Sequence, residues 1–94
     1  MYYTYILRSK THPEQTYVGS TEDLKRRLSE HNSGKSPHTS KYLPWDISIY
    51  VAFSQRILAE QFERYLKSGS GRAFAQKRLL SIQSYSSTKS GRSL

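Results

Sequence analysis

Cysteine is absent from this 94-residue chain, which excludes both a disulfide framework and a thiolate metal centre. Histidine is scarce too: His12, His31 and His38 are too few and too scattered for an all-histidine site. A metal would therefore rest on carboxylate oxygen, the chemistry of magnesium or manganese. Acidic residues are themselves in deficit, seven Asp and Glu against fifteen Lys and Arg, for a net charge of +8. That balance favours a polyanionic partner, with nucleic acid ahead of an anionic membrane surface. No run approaches the ~18 apolar residues of a spanning helix, and no basic region followed by an apolar segment opens the chain. No membrane association is expected, and the expected location is the cytoplasm. The length sets one domain near the size at which a single core becomes marginal; we expect a monomer without deep cavities.

Tyr2 to Arg8 is dense in aromatic and β-branched residues and reads as a first strand. Alternation puts Tyr3, Tyr5 and Leu7 on one face and Tyr2, Thr4 and Ile6 on the other. Both faces then need cover, as in a central strand. A polar connection containing Pro13 leads to Thr16–Ser20, expected to return antiparallel. Trp45 to Phe53 is a third strand, with Ile47, Ile49, Val51 and Phe53 on one face and Trp45 as a core anchor. Lys35 to Pro44, with two prolines and no apolar repeat, reads as a mobile loop. Gln55 to Ser68 carries Leu58, Phe62, Tyr65 and Leu66 at helical spacing and should pack on the sheet. Ser68-Gly69-Ser70-Gly71 is read as its stop, and Arg72 to about Gln83 as a third helix. The expected fold is thus an α/β chain of the α+β type, a small three-stranded antiparallel sheet flanked by helices. The domain is expected over residues 1–83, with a flexible tail over 84–94.

The chain is organised around Tyr17 to Asn32, where a short strand breaks at Gly19 and opens into a cationic helix. Ser20 followed by Asp23 suggests a capping box and a helix start near Thr21, with Ser33-Gly34 as the stop. Leu24 and Leu28 form its apolar stripe. Arg27 and His31, also four apart, line one outward edge. With Tyr17 just ahead of the turn, a phenol, a guanidinium and an imidazole can converge on a phosphate.

In these residues the chain resembles the GIY-YIG nucleases, a family that includes an excision-repair nuclease and many small stand-alone bacterial proteins. The likeness covers about residues 1–80. Tyr3-Thr4-Tyr5 resembles the first-strand motif and Tyr17-Val18-Gly19 the second, with Arg27 and Glu63 in the places of the helical arginine and glutamate. His31 falls where several members carry histidine. The closest likeness, in Tyr-Ile-Leu-Arg-Ser, Leu-x-x-Arg-Leu-x-x-His-Asn and Phe62 to Gly71, is to the stand-alone proteins. Tyr3 stands where the family motif often has glycine. The family's asparagine after the glutamate has no counterpart, Asn32 being the chain's single asparagine.

The resemblance implies an endonuclease acting on DNA in repair or recombination, with single-stranded or branched substrates as candidates and RNA left open. It implies one divalent metal, Mg2+ or Mn2+, held by Glu63. It also implies a phosphate contact from Arg27, whose fork suits phosphate better than lysine. Tyr17 is the candidate base and Tyr5 the orienting phenol; His31 would receive the tyrosine proton or bind phosphate. Lys25, Arg26, Lys35 and Lys41 flank this set and are candidates for contacting the nucleic-acid backbone. Taken singly, each has a plainer reading: a packed tyrosine, a solvated helix charge, or a Glu63–Lys67 surface pair at i, i+4. The alternative function is a nucleic-acid-binding module of the same fold with little turnover.

Overall fold

In a computed structural model of the protein, which describes residues 1–80, the sheet order is β2-β1-β3. The strands are β1 (Tyr2–Ser9), β2 (Thr16–Thr21) and β3 (Trp45–Phe53). β1 is central and antiparallel to both neighbours, as its two covered faces require. The helix α1 (Leu24–Asn32) packs on one face; α2 (Arg56–Lys67) and α3 (Gly69–Phe74), the latter continuing into a π-helical turn at Ala75–Leu79, pack on the other. The alternation of β1 divides the core accordingly. Tyr5 and Leu7 join Trp45, Leu24, Leu28 and Ile47 on the α1 side, and Ile6 joins Leu66, Phe62, Ala75 and Leu80 on the α2 side.

The third strand departs from the expected single-faced alternation. Ile6 pairs with Ile49 but Leu7 pairs with Ile47, so β3 has one extra residue, Ser48, at this point. Such a bulge bends the strand and re-aims its side chains. Ile47 therefore packs with Leu7 on the α1 side, while Ile49 packs with Ile6 on the α2 side.

The helices correct the sequence expectations in three further places. α1 starts at Leu24 rather than Thr21, because Asp23 is its cap and accepts from the Arg26 N–H at 3.0 Å. Ser20 is still in β2 and points elsewhere. On α2 the fully buried residues are Ala59 and Leu66, whereas Leu58 and Tyr65 are 42 % and 40 % exposed. The small Ala59 lets the helix approach β1 closely enough for the buried Thr4 hydroxyl to donate to the Ala59 carbonyl at 2.6 Å. Ser68 stops α2 as expected but also caps α3, accepting from the Gly71 N–H at 3.1 Å, so the third helix starts at Gly69 rather than Arg72. Gly71 is buried against α2, and a Cβ there would collide with the Tyr65 carbonyl. The helical path is described to the π-helical turn; the expected continuation to Gln83 and the tail over 84–94 lie outside the described residues.

The segment from Lys35 to Pro44 is held at both ends and in the middle, against the expectation of a mobile loop. It contains a 3-10 turn at Ser40–Tyr42 and a cis Leu43–Pro44 bond. Thr39 is fully buried, and its carbonyl accepts from the Trp45 indole N–H at 2.8 Å. Asn32 closes the segment from the other side: it accepts from the Trp45 N–H at 2.7 Å and donates to the Trp45 carbonyl at 3.0 Å. The expected core role of Trp45 holds; it is 3 % exposed.

Candidate active site

The site forms where β1 and β2 pair under α1. Tyr5 lies opposite Gly19 in the register, and its ring crosses directly over that glycine. A Cβ at Gly19 would sit 2.5 Å from the Tyr5 hydroxyl and 3.2 Å from the Tyr17 ring. Gly19 thus clears the space that lets the two tyrosines share one face. From above, α1 contributes Arg27 and His31, one turn apart.

His31 is the most enclosed member, with no exposed surface. The expectation that it faces outward is therefore corrected. Its Nε2 lies 3.0 Å from the Tyr5 hydroxyl and its Nδ1 lies 2.9 Å from the Thr39 hydroxyl. With the proton on Nδ1 and donated to Thr39, Nε2 is free to accept from the Tyr5 phenol. The Tyr17 ring packs against the same imidazole at 5.0 Å between centroids, without entering this hydrogen-bonded chain. The tyrosine with a built proton acceptor is Tyr5.

Burial sets the protonation states. It raises the Tyr5 pKa, opposed by a hydrogen bond and favourable charge from Arg27. Burial also lowers the His31 pKa, and the Arg27 charge adds to that shift. At neutral pH the phenol is protonated and the imidazole neutral, which suits a donor–acceptor pair. Arg27 is held from the other side by Glu30, with Nη1 2.9 Å from Oε1. That pairing raises the Arg27 pKa and lowers that of Glu30. The guanidinium is thus a fixed cation beside the Tyr5 phenol.

Glu63 comes from α2, on the opposite side of the sheet, and meets the site at the β2 edge. Ser20 donates to its Oε1, and the Lys67 ammonium donates to Oε2 at 2.7 Å. The plainer reading of Glu63 as an i, i+4 partner of Lys67 is thus half of its environment. Lys67 also lies 6.0 Å from the centre of the Tyr17 ring, tying the carboxylate to the tyrosine wall. Among the described residues no group of three or more His, Asp or Glu side chains is placed to enclose a metal ion. A lone, partly exposed carboxylate fits a hard cation of the magnesium kind, which keeps several waters and binds through one or two carboxylates plus substrate phosphate. Glu60 belongs to a separate polar hollow with Ser20, Thr21, Glu22, Arg26 and Arg56.

The structure gathers Tyr5, Tyr17, Arg27, His31 and Glu63 around the β1–β2 pair. Lys25, Lys35 and Lys41 are exposed and make none of the site's hydrogen bonds or ion pairs among the described residues. Lys41 lies over the Tyr42 ring, and Arg26 is engaged by Asp23 and Glu30. Sequence reasoning missed Thr39 and Ser20, the residues that orient His31 and Glu63. A buried hydroxyl within a polar segment carries no periodic signal, and the spacing of Ser20 to Asp23 imitates a helix cap. The chain's one asparagine, Asn32, is spent on the Trp45 backbone.

A family model for the GIY-YIG catalytic domain matches residues 1–78. The chain is 44 % identical over 73 residues to a structure-specific endonuclease subunit SLX1 from Candida dubliniensis, covering 70 % of this chain and 26 % of the relative. A protein of the same name from Malassezia globosa is 40 % identical over 67 residues, covering 67 % of this chain and 15 % of the relative. The chain thus spans about a quarter or less of the length of these curated relatives. The matched region contains every element that builds the site, from Tyr5 to Glu63, and the chain belongs to the GIY-YIG catalytic-domain family.

Proposed function

We propose that the chain is a metal-dependent endonuclease domain that hydrolyses phosphodiester bonds in DNA, with branched or single-stranded DNA as substrate and repair or recombination as its setting. The observation that carries this reading is the convergence of a protonated phenol with a built acceptor, a fixed guanidinium and a lone carboxylate at one sheet edge. Phosphodiester hydrolysis needs a water relieved of its proton and stabilisation of charge on the phosphoryl oxygens. Arg27, held by Glu30, supplies the fixed positive charge for the phosphate. Tyr5 takes the water's proton while passing its own to His31 Nε2, so a free phenolate, with an ordinary pKa of about 10, need not form. Tyr17, more exposed than Tyr5, borders the water and the phosphate. This exchanges the roles expected from sequence, since the built proton acceptor faces Tyr5.

The divalent cation implied by family membership, Mg2+ or Mn2+, supplies Lewis-acid stabilisation of the phosphoryl oxygens when bound. Glu63 would hold it, with Ser20 orienting the carboxylate. Lys25, Arg26, Lys35 and Lys41 serve the nucleic-acid backbone. The domain works as a monomer, and the word subunit in the relatives' names supports delivery to DNA by a partner protein.

The test is cleavage of end-labelled single-stranded, duplex and branched DNA with Mg2+ or Mn2+. Cutting that stops on chelation and favours branched or single-stranded substrates supports the reading. Salt-sensitive binding without cutting under any metal would replace it with the binding module.

A further inference from the structure

A groove of 410 Å3 opens on the α2 side of β2 and shares two residues, Tyr17 and Lys67, with the candidate site. Its walls include Val18 and Leu66; Arg72 and Gln76 from the α3 region line it as well. Both charged residues in its lining are cationic, and among the described residues no carboxylate lines it. Lys67 is tied to Glu63, whereas Arg72 makes no ion pair among the described residues. A volume in the about 300–1,000 Å3 range of small-ligand sites, with mostly apolar walls and a few polar groups, is a shape for a flat heteroaromatic body carrying negative charge at its edge.

We propose that this groove receives an unpaired nucleobase of the DNA strand being cut, adjacent to the scissile phosphate. The proposal rests on the nuclease reading above and adds to it the feature of the substrate that is selected. Tyr17 carries the argument, because it touches His31 of the site on one side and forms a wall of the groove on the other. Lys67 makes the second link, since it lines the groove and is paired with Glu63 of the site. Apolar walls and a phenol ring favour the base, by stacking and by removal from water, while Arg72 and Lys67 favour the phosphates on either side. A base locked in a duplex cannot enter. The groove thus selects junctions, flaps and single strands over continuous duplex without reading sequence.

The experiment compares binding and metal-dependent cutting of two branched DNAs that differ only at the nucleotide next to the junction: one has an unpaired base, the other an abasic sugar with the same phosphates. The full chain is used as wild type, Gln76→Trp and Arg72→Ala. Gln76 is exposed on the helical surface, so a tryptophan there fills the groove without entering the core. Wild type is expected to bind the base-containing DNA at least about fivefold more tightly than the abasic one. Gln76→Trp is expected to erase that preference while changing affinity for the abasic DNA by less than about twofold. Arg72→Ala should weaken both DNAs alike, as removal of a phosphate-binding cation does. Equal wild-type affinity for the two DNAs, or a preference that survives Gln76→Trp, overturns the proposal. A change in thermal stability without discrimination between the DNAs makes the groove part of the chain's own packing and also overturns it. Wild type that cuts normally without base preference removes this inference alone, whereas wild type that neither binds nor cuts either DNA removes the nuclease reading as well.

Discussion

The distinction between the two tyrosines is the sharpest consequence at the scale of single residues. Tyr5 is bonded to an imidazole that is itself held by Thr39; Tyr17 packs on the same ring by van der Waals contact. Tyr5→Phe is expected to lower kcat by about 10²–10⁴-fold, the usual worth of a positioned acid–base group. Tyr17→Phe should cost less, and single-turnover cleavage measures both. pH separates the same roles. Because burial lowers the His31 pKa, the neutral form is favoured in the fold, and its contribution to stability is fully present above the unfolded value of about 6.5. That contribution is lost as pH falls below about 6.5 toward the folded pKa, where the native imidazole charges as well. Thermal melts between pH 5 and 7 should show this loss in wild type and not in His31→Gln, and cleavage should lose rate over the same acid range.

At the scale of elements, the positions of the site depend on contacts that no local pattern announces. Thr39 belongs to a segment with two prolines and no apolar repeat, yet it is buried because His31 and Trp45 both bond to it. Thr39→Val keeps the shape and leaves the buried imidazole nitrogen without a partner. Denaturant unfolding should show a loss of about 1–3 kcal/mol, accompanied by a fall in kcat that a distant surface variant does not produce. The strands and helices themselves are legible in the sequence, since a run such as Tyr2 to Arg8 has both covered faces written into its alternation. The bulge at Ser48 is not, because Ile47, Ile49, Val51 and Phe53 alternate perfectly and the shift exists only in the pairing with β1. The start of α1 is obscured for a related reason. Ser20 and Asp23 satisfy a capping pattern, but the hydroxyl is engaged by Glu63, a residue 43 positions away. The α2 stripe reads from its large apolar residues, whereas close approach to Thr4 selects the small Ala59 as the buried centre.

At the scale of the whole molecule, only part of the positive charge behind the net +8 is engaged in the site, through Arg27 and Lys67. Lys25, Lys35 and Lys41 stand clear of the catalytic contacts, and Arg26 is shared between two carboxylates. If these residues meet the DNA backbone, binding falls with rising salt. Replacing Lys25, Lys35 and Lys41 together by alanine should reduce the salt slope of log Kd by about one for each phosphate no longer neutralised. Fluorescence anisotropy across a salt series measures it, and an unchanged slope assigns these lysines to solvation. Likeness to a family nominates candidate residues from sequence, but their arrangement in space is not legible there. Tyr5, Arg27 and His31 lie on one face of the sheet and Glu63 arrives from a helix on the other, a relation fixed by the antiparallel packing of β1 between two neighbours.

Glu63 is the carboxylate that completes the proposed phosphodiesterase site, so the most direct measurement is metal-dependent DNA cleavage by Glu63→Gln, with DNA binding followed in parallel. Cutting is expected to fall by at least about 10²-fold, while affinity for the same DNA stays within about twofold of wild type. Cutting by Glu63→Gln at the wild-type rate, with the same metal requirement, would contradict that role.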